Sequence, residues 1–131
     1  DVCPEPLLYW PCPVEKHALP QAAMKAGIPV VGEVYFDLAY DDDANLVVER
    51  KKSAKDLGDI RDRVRRYLDD GTVIAQSGKA VRLDGQTICI HGDGPNSADV
   101  ARTVRTALDD EGVTVAAWQS AREPEGRRVT A

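Results

Sequence analysis

The sequence predicts an α/β fold with a mostly parallel β-sheet. Short apolar runs rich in β-branched residues, typical of buried strands, alternate along the chain with stretches of helical periodicity. The clearest predicted helix spans residues 56–70, where Leu57, Ile60, Val64 and Leu68 recur at intervals of three and four. About five strands and three helices are few for a closed barrel, so the chain is either a small open sheet or the second half of a larger barrel.

Strand and helix signals alternate in the first half of the chain. Prolines end the first apolar run, Gly27 ends the first helical pattern, and the next run combines valine with aromatic residues. Ala18, Leu19, Ala22, Ala23 and Ala26 mark the apolar side of that helix. The predicted elements are a strand over 7–10, a helix over 17–26, a strand over 29–36, a turn-rich loop at 41–45 and an extended piece at 46–48.

The second half repeats the alternation. Gly71 and Gly112 end two helical patterns, and Ala101, Val104 and Leu108 mark the inward side of the later one. Acidic and basic residues four apart, such as Asp59 with Arg63, indicate a solvated helix face rather than a nucleic-acid patch. The predicted elements are the helix over 56–70, strands over 72–75, 79–83 and 87–91, a helix over 97–110 and a strand over 113–118.

Composition limits the classes of function. The chain has 131 residues and a net charge of −5, which suits one soluble domain and argues against general nucleic-acid binding. No apolar run approaches the length of about 20 residues that spans a bilayer. Three cysteines do not suggest a disulfide framework, and we expect a cytoplasmic protein. The chain shows no signal peptide and begins at Asp1 rather than methionine, so we expect an upstream segment.

A glycine-rich turn is the strongest candidate for a ligand site. His91, Gly92, Asp93 and Gly94 follow an apolar strand and precede a helical pattern, which is the junction where α/β proteins bind ligands. Histidine titrates near neutral pH, so His91 is a candidate general acid or base. Asp93 is a second candidate catalytic residue, which would orient His91 or contact a polar ligand; the alternative is that it only caps the turn. The two glycines allow close backbone approach and positive φ angles, which suits substrate binding.

A second group of candidates follows the strand at 29–36. Glu33 and Asp37 are spaced to lie on the same side of an extended segment, and a carboxylate at a strand end is a candidate catalytic group. The alternative is a structural ion pair with Arg50. Tyr40 and Arg50 are candidate substrate-binding residues, although a tyrosine in this position is often a packing residue whose hydroxyl is hydrogen-bonded.

Metal and phosphate motifs are absent from the sequence. Cys3, Cys12 and His17 do not have a recognised zinc spacing, so no metal site is predicted, and Cys89 is most simply a small core residue. No Walker-type loop occurs, so ATP would have to be handled by a partner protein.

Two stretches resemble a known protein family. Residues 33–40, a turn, and residues 46–50 resemble the LamB/YcsF pattern EVFADRAY…LVPR. Residues 87–95 resemble its TICVHGDGP motif, and the following helix and the run at 112–115 continue the similarity. The resemblance spans most of residues 27–117, with both motifs in the family's order.

The resemblance implies a fold and a function. The family includes the A-type component of 5-oxoprolinase, which acts with B- and C-type partners in ATP-dependent opening of 5-oxoproline, and its fold is a β/α barrel like that of polysaccharide deacetylases. We therefore expect residues 1–118 to be the carboxyl-terminal half of such a barrel, with 119–131 as a mobile tail. The chain would form part of a hydrolase of a lactam or related cyclic amide. The alternatives are a noncatalytic docking module and a hydrolase of another C–N bond.

This sequence differs from the family pattern in two ways, and each difference leads to an expectation. The motifs DLNCDLGE, GFHAGD, GAHPSY and KPHGALY, which supply most of the family's histidines and carboxylates, do not occur here. We expect a complementary amino-terminal half or chain to provide them. Leu38 stands where the family usually has arginine, and Glu49 stands where it has proline. Because leucine cannot pair with a carboxylate, the sequence favours a less acidic cyclic amide over 5-oxoproline.

Overall fold

The structure, a computed structural model, describes residues 17–117 in full and the backbone of Leu7–Tyr9 and Val129–Thr130. The helices are α1 (Ala18–Lys25), α2 (Leu57–Asp70) and α3 (Ser97–Asp110). The strands are β1 (Leu7–Tyr9), β2 (Val30–Tyr35), β3 (Ala39–Tyr40), β4 (Leu46–Val47), β5 (Thr72–Ile74), β6 (Ala80–Arg82), β7 (Thr87–Cys89), β8 (Val115–Ala116) and β9 (Val129–Thr130).

Five strands form a parallel sheet in the order β1-β2-β7-β9-β8. Val34 of β2 lies opposite Ile88 of β7, and β1 pairs with the other edge of β2. Helical connections between parallel neighbours, such as α1 between β1 and β2, are the usual way to join strands that run in one direction. The predicted α/β class with a parallel sheet is confirmed.

Two short hairpins lie outside this sheet, between β2 and β7. Strands β3 and β4 pair antiparallel around the Asp41 turn, and β5 and β6 form a second antiparallel pair. The predicted strands over 72–75 and 79–83 therefore exist, but they form their own hairpin because a tight turn at Ser77-Gly78 returns the chain at once. Gln76 donates from its backbone to the Tyr40 carbonyl and joins the two hairpins.

Helices α2 and α3 pack against each other and against one face of the sheet. Asp56 caps α2 by accepting a hydrogen bond from the Asp59 amide, which typically stabilises a helix by about 1 kcal/mol. Gly71 ends α2 with a left-handed φ of 74°, as its sequence position predicts. The core includes Val34, Phe36, Ile60, Val64, Ile88, Val100, Val104 and Leu108.

Some predicted helix faces are wrong. In α1, Ala23 is buried as predicted, but Ala18, Leu19, Ala22 and Ala26 are exposed. In α3, Ala101 is exposed, and the helix instead buries the neighbouring Val100 and Ala107. Helical spacing fixes the width of an apolar stripe but not which edge of it meets the sheet. The pair of Asp59 and Arg63 is confirmed at 2.9 Å.

The same spacing of four also predicts the pairs Asp62 with Arg66 and Arg65 with Asp69, and in the structure both arginines have other partners. Arg66 lies with Asp70 rather than Asp62, and Arg65 reaches Glu111 beyond α3 rather than Asp69. Each of these arginines has more than one carboxylate within reach, so spacing alone does not choose between them.

Two residues of the predicted tail over 119–131 lie in the sheet. Val129–Thr130 form β9 and pair with both β7 and β8, so these two residues belong to the sheet. The other residues of the predicted tail, together with Cys3, Cys12 and Trp118, lie outside the described residues. The domain boundary at residue 118 stays a prediction.

Candidate functional site

A histidine and a carboxylate meet where two adjacent parallel strands end. Asp37 follows β2 and His91 follows β7, and parallel pairing brings both strand ends to the same edge of the sheet. Oδ2 of Asp37 accepts hydrogen bonds from the backbone amide of His91 at 2.6 Å and from Nδ1 at 3.0 Å. The Asp37 side chain is only 7% exposed, whereas that of His91 is 35% exposed.

This contact defines which ring nitrogen is available for chemistry. A carboxylate accepts hydrogen bonds, so Nδ1 of His91 carries the proton that points to Asp37. The other nitrogen, Nε2, is then an acceptor that can take a proton from a bound molecule. Asp37 therefore orients the imidazole and can stabilise its protonated form, which is the arrangement that general acid–base catalysis requires.

Tyr35 and Glu33 support His91 from the sheet. The Tyr35 ring stacks on the His91 ring, with centroids 5.6 Å apart. The Tyr35 hydroxyl donates to Oε1 of Glu33 at 2.9 Å, and burial together with this bond raises the pKa of Tyr35 above its usual value. The carboxylate of Glu33 also accepts a hydrogen bond from the Thr87 hydroxyl. Glu33 thus holds Tyr35, whereas the carboxylate bonded to His91 is Asp37.

Cys89 lies on the same side of the sheet as Glu33 and Tyr35, because side chains alternate along β7. Burial, and then the charges of Glu33 and Asp37, raise the pKa of its thiol. The side chain of Cys89 is half-buried, so the predicted core position is only partly correct.

Asp93 and Gly94 of the glycine-rich turn, together with His91 and Asp37, line a pocket, whereas Gly92 lies outside its lining. Asp93 points toward Lys52 at 3.9 Å and is 64% exposed, so the predicted role of orienting His91 falls to Asp37 instead. Neither Gly92 nor Gly94 uses the positive φ angles that glycine allows. A Cβ at either glycine would meet open space, so their backbone is open to a ligand.

Tyr40 and Arg50 do not line this pocket. Tyr40 is buried in the core, where its hydroxyl accepts a hydrogen bond from the Tyr35 amide at 2.9 Å. Tyr40 thus supports the end of β2. Arg50 is exposed, and the expected ion pair of Arg50 with Glu33 or Asp37 is not formed. The structure therefore gives neither residue the position expected for substrate binding.

Sequence reasoning missed a second wall of this pocket. The pocket beside His91 is also lined by Leu38, Lys52, Ser53, Lys55, Asn96 and Ser97. Asn96 fixes this wall, because its side chain accepts from the Lys55 amide and donates to the Lys55 carbonyl, both at 2.9 Å. The two residues are 41 positions apart, so only the tertiary fold reveals the pairing. In the sequence, Lys52 and Lys55 resemble an ordinary charged loop.

Neither a metal cluster nor a membrane-spanning helix occurs in the described part of the chain. Residues 17–117 contain no group of three or more histidine, cysteine, aspartate and glutamate side chains placed to hold a metal ion. Among the helices that the structure describes, none is long and apolar enough to cross a bilayer.

The fold and the site define an α/β protein whose His–Asp pair lies at the carboxyl edge of a parallel sheet. The LamB/YcsF family model matches residues 6–123, and the chain belongs to the LamB/YcsF family. The sequence-based resemblance is confirmed.

Individual relatives are similar over most of this chain. It is 43% identical over 103 residues to the second 5-oxoprolinase A-subunit of Bradyrhizobium diazoefficiens, covering 77% of this chain and 40% of that protein. It is 44% identical over 98 residues to the 5-oxoprolinase A-subunit of Rhodopseudomonas palustris, covering 73% and 38%. The chain thus spans about two fifths of the length of these curated relatives.

A solved structure supports the same fold. The crystal structure of a lactam utilization protein from Thermus thermophilus superposes with a TM-score of 0.67 and 34% sequence identity. The match covers 82% of this chain and 42% of that protein. The described fold therefore corresponds to part of the fold of that longer protein.

Proposed function

We propose that this chain is part of a hydrolase that opens a lactam or a related cyclic amide. His91 is the general acid–base group, and Asp37 orients and stabilises its imidazole. The observation that carries the proposal is the contact between Nδ1 of His91 and Oδ2 of Asp37 at the pocket wall. Similarity to a protein named for lactam utilization and to 5-oxoprolinase components supports a lactam as the substrate.

The chemistry follows from the available nitrogen. In hydrolysis of a cyclic amide, a water oxygen adds to the carbonyl carbon, and Nε2 of His91 removes the water proton. The C–N bond then breaks, and the protonated imidazole returns a proton to the departing nitrogen. Asp37 favours the protonated ring during these steps because its carboxylate is buried against Nδ1. The product is one open-chain molecule that carries both the new carboxylic acid and the new amine.

Other parts of the assembly complete the proposed site. We infer that a complementary amino-terminal segment or chain supplies the remaining polar groups around the pocket. The relatives are named as subunits, which supports an assembly of several chains. We assign any ATP-dependent step to partners resembling the B- and C-type components of 5-oxoprolinase, since this sequence has no Walker-type loop.

Turnover of 5-oxoproline and neutral lactams by the assembled enzyme tests the proposal. His91→Gln should reduce turnover by about 10²- to 10⁴-fold, the usual contribution of a general acid–base group. The matched control is His17→Gln, since the chain has 2 histidines and His17 lies at the start of α1, outside the pocket lining. Its turnover should match that of the wild type.

Two results would contradict the proposal. If His91→Gln and His17→Gln show equal turnover, His91 has no catalytic role. If the assembled wild-type protein opens no lactam at all while thermal melting shows it folded, the noncatalytic docking module becomes the better account.

A further inference from the structure

The pocket beside His91 contains a lysine that neither the sequence motifs nor the proposed catalytic chemistry uses. Lys52 lines the same pocket as His91 and Asp37, and its side chain is 24% exposed. We propose that Lys52 binds a carboxylate of the substrate, so that the pocket selects an acidic lactam. This inference rests on the proposed function and names the substrate class of the same site.

Of the two pocket lysines, Lys52 has the weaker internal partner. The ammonium of Lys55 contacts Oε1 of Glu49 at 2.5 Å, so its charge is used within the fold. Lys52 reaches Asp93 at 3.9 Å, and Asp93 is largely exposed to water. An exposed ion pair at this separation contributes little, about 0–1 kcal/mol, so a substrate carboxylate can replace Asp93 at small cost.

The loop that carries Lys52 is held in place. The side chain of Asn96 bonds both backbone groups of Lys55, which ties the loop to the start of α3. Lys52 thus lines the pocket from a loop whose end at Lys55 is held in place. A substrate in this pocket would meet Lys52 with its carboxylate and the imidazole of His91 with its amide.

This assignment revises the expectation of a less acidic substrate, which depended on Leu38. Leu38 is 5% exposed and lines the pocket as an apolar wall, whereas Lys52 supplies a cation to the same pocket from a different loop. The carboxylates facing Lys52 are Asp93 directly and Glu49 more remotely, since Lys52 helps lower the pKa of Glu49. Binding must therefore compete with Asp93 for the ammonium.

Equilibrium binding to the assembled protein, without ATP, tests the assignment by calorimetry. The probes are 5-oxoproline, its uncharged carboxamide and inorganic phosphate. The wild type should bind 5-oxoproline at least tenfold more tightly than the carboxamide, as one charge-assisted hydrogen bond predicts. Lys52→Met should remove that difference, Lys52→Arg should retain most of it, and Asp93→Asn should increase it by removing the competing carboxylate.

The control is Lys51→Met, since Lys51 is an exposed neighbour outside the pocket lining and should leave all three affinities unchanged. A preference for the acid that survives Lys52→Met would overturn the assignment, as would no preference in the wild type. Lys52-dependent binding of phosphate in preference to 5-oxoproline would also overturn it. If 5-oxoproline binds in a Lys52-dependent manner but is not turned over, the role of Lys52 in binding is supported. That result would contradict only the proposed hydrolase activity.

Discussion

Replacing Asp37 with asparagine removes the charge that orients His91 while preserving side-chain size. Oδ2 of Asp37 accepts from both the His91 amide and Nδ1, at 2.6 and 3.0 Å. Asparagine can place its one acceptor oxygen at the Oδ2 position, but its NH₂ group then stands at the Oδ1 position, 3.2 Å from Nδ1, where it competes to donate to that nitrogen, and the negative charge is lost. The imidazole loses either its orientation or the tautomer that leaves Nε2 available.

The substitution Asp37→Asn should have a moderate effect on stability and a much larger effect on turnover. The Asp37 side chain is 7% exposed, so the loss of one charge-assisted hydrogen bond costs about 2 kcal/mol with little screening by solvent. For these 131 residues melting alone, an unfolding entropy of about 0.28 kcal/mol/K converts this loss into a fall in Tm of about 7 °C, and the fall is smaller when a larger assembly melts as one unit. Turnover should fall much further, by about 10²- to 10⁴-fold, because the general base is misoriented.

Steady-state kinetics and thermal melting of the same preparations check this prediction. Asp109→Asn is the matched control, since Asp109 is an exposed carboxylate on α3 that pairs with Arg105. It should change Tm by no more than about 1–2 °C and leave turnover unchanged. Turnover of Asp37→Asn within threefold of the wild type would refute the argument that Asp37 acts through His91.

Three other predictions concern the surroundings of the site. Gly32→Ala should strongly reduce Tm in a melting experiment, because a Cβ there would overlap the backbone carbonyl of Asp84; an unchanged Tm would contradict this packing. Tyr40→Phe should lower the free energy of unfolding by about 1–3 kcal/mol in urea titrations, because the Tyr35 amide loses its acceptor; no loss would show that another group accepts from it. Cys89 has a raised pKa, so its thiolate fraction at pH 8 is below that of a free cysteine. Site-resolved mass spectrometry should therefore show slow alkylation of Cys89 at pH 8, with a rate that still rises at pH values where a free cysteine is already fully ionised; fast reaction at pH 8 would be inconsistent with burial beside two carboxylates.

The sequence predicts the elements of this fold well because each depends on local signals. Apolar spacing located α2, Gly71 marked its end, and the apolar run at 87–90 located β7. The pairing of β5 with β6 was not predicted, since strand propensity does not specify a partner. The exposure of Ala101 was missed because periodicity alone does not set the rotation of a helix.

The candidate site was predicted in part. His91 and Asp37 could each be named from strand-end positions, but their contact spans 54 residues and follows only from the parallel pairing of β2 with β7. The same limit explains why Asp93, close to His91 in sequence, was assigned a role that Asp37 fills. Lys52 carries no local signal, because a lysine in a charged loop is usually a solvated residue.

Chemical rescue of a His91→Gly variant tests the central claim most directly. The variant leaves a space where the imidazole stood, beside the carboxylate of Asp37. In the assembled enzyme, turnover should fall by about 10²- to 10⁴-fold and should recover in a saturable manner as free imidazole is added. Asp37→Asn retains its own imidazole and should show no recovery. Turnover of His91→Gly within a few-fold of the wild type, with no response to imidazole, would contradict the assignment of His91 as the general acid–base group.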